Sequence, residues 1–92
     1  MENKIETLNN LLNGLIGECV MLDHKHNPEG ELLHEQAVVG KCVGDRLNYF
    51  TAHDSSFISE NNWLGNIAKV TYGQEVLYAD QEMLDETQGM LK

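Results

Sequence analysis

The sequence predicts an α+β fold: an N-terminal helix, about five antiparallel strands forming a strongly bent sheet or small barrel, and a C-terminal helix. Three observations predict it. Apolar residues recur at helical spacing near both ends of the chain. Between them, short β-branched and aromatic runs are separated by turn residues. The connections between those runs are short, which favours antiparallel pairing. Bending or closing a sheet of short strands removes exposed edges.

At 92 residues the chain is expected to form one domain, 1–92, with a helix over 2–14, a β-rich body over 16–79 and an acidic helix over 80–91. Ile5, Leu8, Leu11, Leu12 and Leu15 lie on one stripe of the first helix, and Gly14 is placed as its stop. Residues 16–24 read as a buried strand, because Cys19, Val20, Met21 and Leu22 are nearly continuous in apolar character. Pro28 and Gly30 give the following loop its turn chemistry. Residues 31–44 read as a second long strand, bent at Gly40. In 46–53, Leu47, Tyr49 and Thr51 fall on one face and Asn48, Phe50 and Ala52 on the other. The stretch 57–65 fits either a short helix or an ordered loop anchored by Phe57, Ile58, Trp63 and Leu64. Residues 66–72 and 75–79 complete the strands around a Gly73-Gln74 turn. Asp80 is placed as the N-cap of the last helix, which Gly89 weakens near its end.

Fifteen acids against six bases give a net charge of -9. Such a surface repels phosphate backbones, whose binding depends on clustered Lys and Arg, and the six bases are scattered. Direct nucleic-acid binding is therefore not expected; a basic protein, or one that itself binds nucleic acid, is steered in by the same field. No apolar run approaches the ~18 residues of a membrane span. No basic-then-apolar leader precedes a cleavage-type site. The expected compartment is the cytoplasm, where Cys19 and Cys42 stay reduced.

The run Leu11-Leu12-Asn13-Gly14-Leu15-Ile16-Gly17 enters the first strand, and Val39-Gly40-Lys41-Cys42-Val43-Gly44-Asp45 precedes Leu47-Asn48-Tyr49-Phe50. An N-terminal helix feeding strands in this pattern resembles the Sm-like branch of SH3-type barrels. The resemblance implies the fold. The long loop at 24–35, the insertion at 54–65 and the lack of basic RNA-contacting residues depart from it, so RNA binding is not carried across.

No enzyme motif is present: the chain lacks Gly-x-Ser-x-Gly, a Walker-type loop and Gly-x-Gly-x-x-Gly. His53-Asp54-Ser55 is a turn triplet, and adjacency does not make a triad. His24 and His26 share one side of an extended segment, yet no Cys-x-x-Cys or His-x-x-x-His spacing accompanies them. No catalytic residue, metal or cofactor is assigned. Glu75, Asp80, Glu82, Asp85 and Glu86 form an acidic stretch; on a helix, Glu82, Asp85 and Glu86 share a face backed by Met83, Leu84 and Met90. That helix reads either as a protein-binding face or as a solvated side packed on its own sheet. If a small barrel leaves one apolar helix uncovered, a symmetric homodimer is expected. The leading expectation is a non-enzymatic acidic protein-binding module, an inhibitor or adaptor of phage or mobile-element type. The alternatives are a small-molecule or metal-binding domain with a pocket near Trp63, Tyr49, His53 and His34, and an Sm-like RNA-binding ring.

Overall fold

The computed structural model describes residues 3–90, leaving aside the side chains at 53 and 87–90. Two candidate site residues, His53 and Met90, and the weakened end at Gly89 therefore lie outside the described side chains. The chain runs α1 (Lys4–Asn13), β1 (Cys19–His24), β2 (Leu33–Val43), β3 (Arg46–His53) and β4 (Ser56–Trp63). A 3-10 turn (Leu64–Asn66), β5 (Ile67–Tyr72), β6 (Glu75–Ala79) and α2 (Gln81–Met90) follow. Six strands, rather than about five, form one antiparallel sheet in the order β4-β3-β2-β1-β5-β6.

The extra strand is β4. The polar run Ser59-Glu60-Asn61-Asn62 hides its alternation, and asparagine is a poor strand former. Pairing with β3 at every position from Ser56 to Trp63 holds it extended. The expected helix or loop at 57–65 is thus a strand that ends in the 3-10 turn.

The sheet is open, with β4 and β6 as its edges, rather than a closed barrel. It is nonetheless curled. β4 and β1 sit three strand positions apart, about 14 Å in a flat sheet. Even so, the Asn62 amide of β4 donates to the Lys25 carbonyl just beyond β1 at 2.8 Å.

Helix α1 lies over the inner face. The Asn3 side chain caps it by accepting from the Glu6 N–H at 2.8 Å. Gly14 ends it in a right-handed conformation (φ -81°); the left-handed residue of this turn is Gly17, at φ 88°. Leu8 and Leu12 are fully buried, as are Leu22, Leu47 and Leu64, each contributing about 1.5–3 kcal/mol relative to exposure. Ile5, Leu11 and Leu15 pack against the same core. The centre of the helix stripe is therefore covered within the chain.

β1 alternates instead of being buried throughout: Val20 and Leu22 face the core, and Cys19 is exposed. Its apolar run reads as continuous because Cys19 and Met21 sit on the other face. In β3, Leu47, Tyr49 and Thr51 are buried, as their alternation predicts. The β2–β3 register shifts between Val39 and Cys42, around Gly40. A Cβ on Gly40 would stand 2.5 Å from the Asn48 carbonyl oxygen, so the bulge needs glycine for close backbone approach.

Candidate functional site

Two arrangements of chemistry stand out, one on each face of the sheet. On the inner face, His24 ends β1 and is fully buried. The loop histidine expected from sequence is thus an interior one. Its Nε2 lies 2.7 Å from Glu35 Oε1. Its Nδ1 lies 3.2 Å from the Asn62 amide nitrogen, which also donates to the Lys25 carbonyl. Asn62 Oδ1 accepts from Asn66 at 3.1 Å. These bonds fix the roles. Asn62 can only donate to Nδ1, so the imidazole proton is on Nε2 and points at the Glu35 carboxylate. Burial pushes the His24 pKa down; the Glu35 hydrogen bond opposes that without reversing it.

The Tyr49 ring meets His24 edge-on, with centroids 5.6 Å apart. Tyr49 is 1 % exposed, and its hydroxyl has no hydrogen-bond partner among the described residues. Burial, followed by the Glu35 and Glu60 charges, pushes its pKa up to about 12. The inner cluster is a bonded plug at one end of the curl, closed to solvent at His24 and Tyr49. Its hydrogen bonds satisfy the buried polar atoms of His24, Asn62 and Asn66.

On the outer face the chemistry is apolar. Phe57 of β4 lies opposite Ala52 of β3. Phe50 of β3 lies opposite Val38 of β2, which lies opposite Cys19 of β1. Alternation puts these side chains together on the face away from α1. Phe57 is 69 % exposed and Phe50 42 %. They border a groove of about 150 Å³ with Cys19 and Val38. That volume is below the roughly 300–1,000 Å³ of small-molecule sites and is about the size of a single side chain.

One row along, the face turns polar. Asp23 Oδ1 meets His34 Nδ1 at 2.5 Å, and Lys69 pairs with Asp23 in register. At the far end of β4, Arg46 bonds Asn61, whose amide donates to Asn48 at 2.8 Å. The apolar belt therefore has a polar rim.

The residues singled out from sequence are dispersed. Tyr49 points into the core, His34 sits on the outer face, and Trp63 stacks over Gly65 at the end of β4. Tyr49 thus faces the side of the sheet opposite His34 and Trp63. The depression of about 290 Å³ at the 24–34 loop is lined instead by His26, Asn27, Gly30, Glu31 and Leu33. Among the described residues, no group of three or more His, Cys, Asp or Glu is placed to hold a metal ion.

On α2, Glu82, Asp85 and Glu86 are exposed. Met83 is half-buried, its sulfur 2.9 Å from Lys4 Nζ. Lys4 also pairs with Asp80 at 2.7 Å, and Asp80 caps α2 through the Met83 N–H. Burial works against ionising Asp80, but the bonds from Lys4 and Met83 outweigh it and hold the carboxyl below its usual range. The back of the first turn of α2 thus rests on its own chain, while its acids face water.

Phe50 was visible in the sequence as the outer side of an alternating strand. Phe57 was not, because its segment gave no clear period. Comparison with known proteins finds no matching family model, no similar curated protein and no similar solved structure.

Proposed function

We propose that this chain is a non-enzymatic binding module that docks a basic protein on the outer face of its sheet. The observation that carries the reading is the exposure of Phe57 and Phe50 side by side over the Cys19–Val38 groove. Contiguous exposed aromatic surface with a polar rim is characteristic of interaction sites. The net charge of -9 supports a basic partner and disfavours a phosphate backbone. The Glu82, Asp85 and Glu86 face of α2 supplies steering rather than contact area. An inhibitor or adaptor role, of the kind small phage and mobile-element proteins play, belongs to this proposal. So does the fold-level resemblance to Sm-like barrels over residues 5–79, which the Gly40 bend in β2 and the Gly44-Asp45 turn into β3 support. The scattered bases make an RNA-binding ring the weaker reading.

The test immobilises the wild-type chain and a Phe50→Ser/Phe57→Ser double variant and exposes both to host lysate at about 0.05 M and about 0.5 M salt. The wild type should retain net-positive proteins at low salt and release them at high salt, and the folded double variant should retain none of them. Identical capture by both chains, or capture indifferent to salt, overturns the reading.

A further inference from the structure

The two edges of the sheet differ in a way that bears on how a partner attaches. β4 pairs with β3 over eight residues without a register break. On the other edge, β6 has five residues and its pairing with β5 breaks between Val70 and Thr71. Edge strands are ordinarily blunted by shortness, proline, lysine or a bulge. β4, with the sequence SFISENNW, carries none of these, and its one guard is the charge of Glu60. Alternate residues of an antiparallel edge strand turn their N–H and C=O groups away from their neighbour. Among the described residues, β4 therefore presents an open ladder over 57–61, about 17 Å long, before the end where Asn62 is buried.

Its side chains say what such a strand would carry. Phe57 and Trp63 lie on the outer face and extend the apolar belt, and Ile58 and Glu60 lie on the other; Phe57, Ile58 and Trp63 are all exposed. Glu60 is the one charged residue of β4, and Asp54 and Asp45 lie in the turns at either end of β3, beside it. Self-pairing of β4 would set a charge of -9 against another of -9.

We propose that β4 accepts an added strand from the partner, and that this strand alternates apolar residues beside Phe57 with lysine or arginine beside Glu60. The inference rests on the docking reading above and deepens it by naming the mode of recognition: main-chain bonds for attachment, alternate side chains for specificity.

The test uses amide hydrogen exchange of the full chain, read residue by residue by NMR. One probe is an acetylated, amidated octapeptide of alternating valine and lysine. The other is the same peptide N-methylated at every backbone amide, which keeps charge and side chains but cannot form a ladder. The first peptide should slow alternate amides of β4 by about tenfold or more, and the methylated one should not. If both peptides shift Phe50 and Phe57 signals equally and leave β4 amides unprotected, strand addition is overturned while docking on the outer face stands. If neither peptide perturbs the protein, strand addition is likewise overturned, and the lysate capture judges docking separately. If β4 amides are already protected and sedimentation shows a dimer without peptide, the edge belongs to a second copy and the inference fails.

Discussion

His24 keeps its proton on Nε2, towards Glu35, and accepts on Nδ1 from Asn62. A second proton would set an Nδ1–H donor against the Asn62 amide donor, which is bound to the Lys25 carbonyl and cannot turn away. The neutral imidazole is therefore the form the interior holds, and burial lowers its pKa from 6.5. Because the unfolded chain binds this proton more readily, the stabilisation is present in full above about pH 6.5 and is lost as pH falls below it. Urea unfolding from pH 7.5 downwards should show stability declining on acidification, with this residue adding at most about 1.4 kcal/mol per pH unit. The His24→Gln variant should show a shallower decline, and an unchanged slope would assign the effect to other groups. Tyr49 offers a second test at the same scale. Its buried hydroxyl lacks a partner among the described residues, so Tyr49→Phe removes an unsatisfied group. The variant should match or exceed the wild type by up to about 1 kcal/mol. A loss of more than about 1 kcal/mol would mean that a bound water completes the hydroxyl.

At the scale of elements, the bulge at Gly40 and the edge β4 were legible to different degrees. A glycine inside an apolar strand pattern signals close backbone approach, and the structure places the Asn48 carbonyl there. In Gly40→Ala the new methyl meets backbone, which cannot swing aside as a side chain can. Strands β2 and β3 must part, at a cost of about 1–3 kcal/mol. Thermal unfolding measures this, and an unchanged midpoint would mean that the bulge relaxes freely. β4 offered no such signal. Residues 59–62 are all polar, and its outer face is apolar only at Phe57 and Trp63, so neither a period of two nor one of 3.6 emerges. The two helices were legible in type, because amphipathic spacing and caps are local properties. The stop at Gly14 was right in place and different in mechanism, with the left-handed turn delayed to Gly17.

At the scale of the molecule, fifteen acids against six bases leave a net negative field. Self-repulsion of this kind destabilises the compact state and is screened by salt. Raising sodium chloride from about 0.02 M to about 0.3 M should raise the unfolding midpoint; a lowered midpoint would show that attractive pairs such as Lys4–Asp80 dominate instead.

By itself the sequence determined the charge, the helix stripes at both ends, the alternation of β3 and the turn positions. Each is a property of composition or of neighbours within a few residues. Only the tertiary structure decided that 56–63 is a strand, that Cys19 faces water while His24 does not, and that α1 is covered by its own sheet. Those outcomes depend on pairing between residues far apart in the chain. Asn62 reaches Lys25 across the curl, and Phe57 comes beside Phe50 through the β3–β4 register. No local window contains both partners, and a shift of one residue in register would exchange the two faces of the strand.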